Sequence, residues 1–217
     1  MIYSVVKGDT LSRIATKFGV PISSLIILNN ITDPNRLFIG QELQVPNIQD
    51  VPPNATFTAP TSANSLVARA RSVIGSAIDY RLGAGGMLPT LTKPSSDGFC
   101  DCSGFVCWVL GLSRQTKSPF YKNFGGWIYT DSMEADVKAT SGIFDKLSVP
   151  EPGCIVVYGA LEKIGHVGIV SEVTGGKMSK VVHCSSGNSR RFEKRAIQET
   201  LPTVFERPDI LWGKFVG

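Results

Sequence analysis

The hydrophobic pattern changes period along the chain, and the changes mark out its parts. Ile2 to Val6 reads as a short strand and Lys7-Gly8-Asp9 as a turn. Leu11 to Phe18 reads as a helix, because Leu11, Ile14, Ala15 and Phe18 share one face at helical spacing. Thr10 is placed to cap that helix and Gly19 to end it. Pro21 opens a second helix, Ile22 to Asn29, with Leu25, Ile26 and Leu28 inward. Asn30 to Gly40 is a loop, and Glu42 to Val45 is a return strand closed by Pro46. This order predicts a small βααβ unit over residues 1–46.

Residues 47–64 carry no period and are rich in Pro, Thr, Asn and Ala, the signature of a semi-extended linker. Helical spacing resumes in Leu66 to Ile74. A glycine-rich loop follows from Tyr80 to Gly86 and runs on to Phe99. Cys102 to Leu110 is apolar on most faces, so that helix is expected at the centre of a core. Trp127 to Asp136 is partly helical. The period then falls to two, with strands expected at Ile155 to Tyr158, Val167 to Val173, Lys180 to Cys184, Phe192 to Ile197 and Leu211 to Phe215. Helices first and strands later predict an α+β domain over 65–217, its N-terminal helices packed on an antiparallel sheet.

Composition adds limits. Hydrophobic residues make up 42% and charged residues 18%, which is ordinary for a globular chain. The formal charge is +4, with Lys and Arg scattered and no basic run interleaved with aromatics, so no nucleic-acid binding is expected. A mild positive charge suits an anionic polymer such as a bacterial wall, and it equally suits solubility. No stretch reaches the roughly 18 consecutive apolar residues of a membrane span. No basic n-region and apolar h-region follow Met1. Export is therefore expected either by a signal no longer present or by another route, such as phage lysis or an injection machine.

The candidate chemistry rests on few residues. The chain has two His and five Cys, so at least one thiol is unpaired within the chain. Cys102 sits where the buried helix begins. The positive end of a helix plus an imidazolium partner can lower a thiol pKa to about 3–4, which predicts a reactive thiolate. Ser103 and Gly104 are small, and the amide of Cys102 or Ser103 can hold an oxyanion. His166 is placed to act as general base and His183 to orient it. A purely structural role is the plainer alternative for a strand histidine. Cys107 falls inside the helix, Cys154 starts a strand after Gly153, and Cys184 should face away from His183. Cys100 is the nearest rival. A zinc site of Cys100, Cys102, His166 and His183 lacks the usual Cys-x-x-Cys spacing, so neither a metal nor a cofactor is expected.

Tyr3 to Leu11, Ile14-Ala15, Leu28-Asn29-Asn30, Gly40 to Leu43 and Val45-Pro46 resemble the LysM carbohydrate-binding module over its whole length. The resemblance implies binding of N-acetylglucosamine-containing glycans in a groove at Gly8, Asp9, Thr10, Asn30, Ile31 and Thr32. Capping is as good a reading for Asp9 and Thr10. Asp101 to Val106, Pro152-Gly153, His166 to Val170 and Val182-His183 resemble the NlpC-type family of papain-like cell-wall peptidases, over about residues 66–217. Tyr80 and Gly83 match its upstream Tyr-x-x-Gly element. That resemblance implies Cys102 as nucleophile, His166 as base, His183 as third polar group and Tyr80 as a site residue. It implies substrate contacts for Asp101 and Ser103, with helix capping an equal reading for Asp101. Cys154 stands where an acidic residue often follows the Pro-Gly. The expected activity is a cysteine endopeptidase cutting stem peptides of peptidoglycan between γ-D-glutamate and a diamino acid. The alternatives are an N-acetylmuramoyl-L-alanine amidase, a non-catalytic wall-binding part such as a phage-tail component, and thiol- or acyl-transfer chemistry.

Overall fold

The computed structural model describes residues 2–18, 25, 29, 31, 37–45, 60, 62–159 and 165–216. The chain forms two compact units, residues 1–57 and 58–217. In the first, β1 (Ile2–Ser4) pairs antiparallel with β2 (Glu42–Gln44), with Tyr3 opposite Leu43, and α1 is Leu11–Phe18. Val5, Leu11, Ile14, Leu25, Ile31, Leu43 and Val45 are buried in this unit. Asn29 ties in the return strand: its Oδ1 accepts from Gln44 N at 2.6 Å, and its Nδ2 donates to Gln44 O and Leu25 O, each at 2.8 Å. Most of the expected helix from Ile22 to Asn29 lies outside the described residues, as do Asn30, Thr32 and most of the linker.

The second unit begins with α2 (Ala63–Arg71), three residues earlier than the apolar spacing suggested. Ser62 and Ser65 cap each other there, a local bond pattern that outweighs the position of the first apolar side chain. β3 (Asp79–Tyr80) and β4 (Phe99–Cys100) form a short parallel pair. α3 (Cys102–Val109) follows, then a 3₁₀ turn at Phe120–Phe124, α4 (Thr130–Ala139) and β5 (Phe144–Leu147). β6 (Ile155–Tyr158), β7 (His166–Thr174), β8 (Lys177–Cys184), α5 (Ser186–Arg191), β9 (Ile197–Thr200), a 3₁₀ turn at Pro202–Phe205 and β10 (Leu211–Phe215) complete it. The large sheet is antiparallel in the order β5-β10-β6-β7-β8-β9. The class is α+β, as expected.

Both sheet faces are covered. Val157, Val167, Ile169, Val182 and Cys184 join α3 and its neighbours in the larger core, whereas Val156, Val170, Val181 and Cys154 pack with Phe205 on the other side. α3 carries Phe105, Val106, Cys107 and Val109 with no measurable exposure, so its all-round apolar pattern reflects a central position. Two expectations need correction. Phe192 to Ala196 is not a strand: Ser185 Oγ, accepting from Asn188 N at 3.0 Å, starts a helix that ends at Arg191, and Glu193 and Lys194 adopt left-handed φ of 50° and 63°. The strand starts at Ile197, where the chain returns to β8. Phe144–Leu147 falls outside the expected strands; it is the edge of the sheet, where Asp145 and Lys146 face solvent.

Candidate functional site

Helix α3 begins against a loop, and that contact explains its glycine. A Cβ on Gly104 would lie 2.5 Å from Ala84 O and 2.9 Å from Gly85 C, so only glycine lets the 83–86 loop touch the helix backbone. Asp101 caps the helix: its Oδ1 accepts from Gly104 N at 2.7 Å. Its Oδ2 accepts from Gly83 N at 2.7 Å and from Arg114 Nη1 at 3.1 Å. Arg114 also donates to Ala84 O at 3.1 Å and to Ser103 Oγ at 2.9 Å, and Ser103 donates on to Asp101 Oδ1 at 3.1 Å. Asp101, Ser103 and Arg114 are all buried. The two expected substrate contacts, Asp101 and Ser103, are thus engaged by the chain itself. A cavity of about 370 Å³ lies beside them, lined by Arg114, Gly83, Phe124, Trp127, Ile128 and Tyr129.

Cys102 occupies the first turn, 3% exposed. Gly104 N–H goes to the Asp101 carboxylate and Phe105 N–H to the Asp101 carbonyl at 3.0 Å. The N–H of Ser103 and that of Val167 both point at Cys102 Sγ. Val167 follows His166 in β7, so the thiol sits at the start of that strand. Tyr80 is half-buried beside Cys102 and Asp101, and burial followed by those two charges raises its phenol. Cys184 faces the larger core, away from His183, and donates to Cys100 O at 3.3 Å.

The two histidines meet across β7 and β8. His166 Nε2 lies 2.8 Å from His183 Nδ1, and His183 Nε2 lies 3.0 Å from Thr200 Oγ1. Gly168 makes room: a Cβ there would sit 3.1 Å from His183 Cβ and 2.6 Å from Val181 Cγ1. Phe205 stacks on His166, centroids 5.1 Å apart and planes at 18°, and meets His183 edge-on at 5.7 Å. Tyr158 lies across the sheet from His166 in register.

The electrostatics reverse one expectation. Burial, then the charge of Asp101, pushes the Cys102 thiol up to about 12; the N–H groups of Val167 and Ser103 and the charge of Arg114 oppose this but do not outweigh it. Burial, then His183, pushes His166 down to about 3, and burial pushes His183 down to about 4. The resting site therefore holds a neutral thiol and neutral imidazoles, not the expected thiolate–imidazolium pair. Enclosure by Phe205 and the sheet removes the water that would solvate either charge.

Sequence reasoning proposed Cys102, His166, His183 and Tyr80; the structure pairs His166 with His183 and sets Tyr80 and the Val167 N–H beside Cys102. It missed Arg114, Phe205 and Thr200. Arg114 had one visible signal, a cation two residues after the apolar stretch Leu110-Gly111-Leu112. In the first unit, Asp9 Oδ2 accepts from Tyr3 Oη at 2.7 Å and Val6 N at 2.9 Å, and Thr10 Oγ1 accepts from Arg13 N at 3.2 Å. Gly8 has a φ of 91°, and Ile31 is buried.

Comparison with known proteins now bears on these sites. Residues 3–46 match the LysM domain, and residues 93–188 match the CHAP domain. The chain carries a LysM domain followed by a CHAP domain. N-acetylmuramoyl-L-alanine amidase XlyB of Bacillus subtilis (strain 168) is 50% identical over 44 residues, 20% of this chain and 14% of that protein. Probable peptidoglycan endopeptidase LytE of the same organism is 29% identical over 152 residues, 65% of this chain and 40% of that protein. This chain thus spans well under two thirds of either relative. A solved structure described as the NlpC/p60 domain of peptidoglycan hydrolase SagA aligns with 71% of this chain and 99% of its own, at 19% identity and a TM-score of 0.38. The Cys102 motif and both histidines fall within the matched CHAP residues.

Proposed function

We propose that the chain is a peptidoglycan hydrolase, a cysteine endopeptidase cutting stem peptides at the γ-D-glutamyl–diamino acid bond. The observation that carries this reading is Cys102 at the start of α3 with the N–H of Val167 on its sulfur, Val167 following His166, which is paired with His183. His166 Nε2 is engaged by His183, so Nδ1 is the nitrogen that serves the thiol. Substrate entering beside Cys102 brings a carbonyl to Sγ. The thiol proton passes to His166 Nδ1 as the C–S bond forms. The oxyanion rests at the N–H of Cys102, where the helix is positive. His166 returns the proton to the leaving amine, and the C–N bond breaks to give a thioester. Water, deprotonated by His166, then splits the thioester and restores the thiol.

In this reading Tyr80 borders the substrate, and the Arg114-lined cavity lies next to its path. Asp101 and Ser103 act by fixing the helix start, through the bonds they make to Gly104, Gly83 and Arg114. The LysM domain holds the enzyme on the N-acetylglucosamine glycan; Gly8, Asp9, Thr10, Asn30 and Ile31 are the positions that the LysM resemblance assigns to the sugar. The wall is the place of action. No helix of the described residues is long and apolar enough to cross a membrane. The amidase relative does not favour the amidase alternative, because its match spans a fifth of this chain, the length of the LysM domain.

The test is digestion of purified sacculi with mass analysis of the products. Release of fragments ending in γ-D-glutamate, lost in Cys102→Ala, is the expected result. Stem peptides freed whole from the glycan would replace this reading with the amidase. Unchanged release by Cys102→Ala would end both.

A further inference from the structure

Resting on the peptidase reading above, one question remains open: which nitrogen of His166 carries the proton. A base must present a bare nitrogen to the thiol, and a neutral imidazole has one bare and one protonated nitrogen. The hydrogen-bond pattern around His183 decides this from three residues away.

Thr200 is at the end of β9, opposite Val181, which places its side chain diagonally from His183 on one face of the sheet. Its hydroxyl has one proton, and that proton goes to Leu201 O at 2.9 Å. With its proton assigned to that carbonyl, which can only accept, the oxygen accepts from His183 Nε2 at 3.0 Å. Asn188 does not compete. The two protons on its Nδ2 have carbonyl acceptors, His183 O and Ala196 O, each at 3.2 Å, so its longer 3.5 Å approach to the ring is not a donation. His183 is then protonated on Nε2 and bare on Nδ1. His183 Nδ1 must accept from His166 Nε2 at 2.8 Å, which leaves His166 Nδ1 bare.

We propose that Thr200 is a positioning residue that sets the tautomer of both histidines and so keeps His166 Nδ1 free to take the Cys102 proton. The backbone supports this use. Leu201 O is fixed by the turn into Pro202–Phe205, the same segment that brings Phe205 over both rings. The Thr200–Leu201 bond therefore ties the proton pattern to the roof of the site. Without an acceptor at position 200, His183 gains nothing from a proton on Nε2. The proton can then move to Nδ1, turning His166 into an acceptor on Nε2 and placing a proton on Nδ1, where it blocks the base. Such loss of the correct tautomer, with geometry intact, is an established way to disable a catalytic histidine.

The chain has two His. Histidine labelled with ¹⁵N in the full-length protein therefore gives four ring-nitrogen signals, which report the tautomers directly. At pH 7 the wild type is expected to show protonated Nε2 and bare Nδ1 in both rings. Thr200→Val, nearly the same shape without the hydroxyl, should bring in the Nδ1-protonated form of both. Its kcat on wall peptides should fall at least about tenfold, within the roughly 10²–10⁴-fold that a general base supplies, with KM little changed. Thr200→Ser should restore both readouts. A wild type with a proton on His166 Nδ1 would overturn the proposal without any variant. So would a Thr200→Val protein with wild-type tautomers and kcat, or a Thr200→Ser protein as impaired as Thr200→Val. Failure of the peptidase reading shows separately, as unchanged wall digestion by Cys102→Ala, and leaves the nitrogen spectra to decide the tautomers.

Discussion

Two helices of this chain begin near an aspartate followed by a small hydroxyl or thiol residue, but one position out of step: Thr10 caps the first helix, Asp101 the second. At α1 the pair is Asp9-Thr10, and at α3 it is Asp101-Cys102. Asp9 finds its partners locally, in Tyr3 and Val6, and the site is exposed. Asp101 finds Gly83 and Arg114, far along the chain, and is 1% exposed. A similar pair of residues closes a turn in one place, where Asp9 accepts from Val6 N, and caps the helix of the candidate active site in the other, where Asp101 accepts from Gly104 N. What differs is the tertiary surround: a buried cation to hold the aspartate, a strand N–H on the neighbouring thiol, and, beside that strand residue in sequence, a paired histidine under the Phe205 ring. Each prediction below strikes one of these differences.

The largest effect should come from Arg114. Arg114→Met leaves Asp101 buried without its cation, and breaking such a pair costs about 3–5 kcal/mol. Denaturant unfolding followed in the CHAP domain measures it. A loss below about 1 kcal/mol, the range of an exposed pair, would mean that the α3 start is held no more firmly than that of α1.

The histidines should make the second unit sensitive to acid. His183 is 2% exposed and its pKa is lowered from 6.5 to about 4. The unfolded chain therefore binds its proton first as pH falls below 6.5, and the folded state loses relative stability between about pH 6.5 and 4. The loss from His183 alone is about 3 kcal/mol by pH 4, and His166, lowered to about 3, adds in the same direction. At the other end, buried thiols such as Cys102 and Cys154, both raised to about 12, destabilise the fold above pH 9, where unfolded thiols ionise. Unfolding midpoints against pH should peak between these limits. His183→Gln should flatten the acid side. A flat acid limb in the wild type would show that the pair is solvated and that the roof of Phe205 does not exclude water.

The elements that sequence could supply are those whose signal is local. Helical spacing gave α1, a run apolar on most faces gave α3, alternation gave β6, β7 and β10, and the Asp-Cys-Ser-Gly run with two histidines gave the candidate site. Thr200, Phe205 and Arg114 were not legible, because each matters only through what the fold sets beside it. Thr200 counts because β9 pairs with β8 in one register, and the strand had been expected too early, before the left-handed turn at Glu193 and Lys194. The protonation state failed for the same reason. A helix start favours a thiolate in any sequence, but the depth of burial that overrides it is a property of the packed sheet.

That reversal predicts a smaller, measurable shift. In the free protein Cys102 should react with a small alkylating reagent slowly at pH 7, the rate rising only above the ordinary thiol value of about 8.5. Asp101→Asn keeps a capping side chain but removes the second-largest cause of the raised pKa, so its curve should move to lower pH. Alkylation of the wild type that persists well below pH 7 would restore the ion pair and limit the part played by burial.

The smallest effect belongs to α1. Thr10→Ala removes a cap that is exposed and local, which costs about 1 kcal/mol. The hydroxyl faces Arg13 N, within the chain, so chitooligosaccharide affinity of the LysM domain should change little when measured by calorimetry well below the unfolding temperature. If affinity instead drops more than about tenfold while stability falls only by the cap's share, Thr10 holds sugar as well as its helix. The two helix starts would then differ less than their surroundings suggest, each joining a cap to a ligand contact, one for glycan and one for peptide.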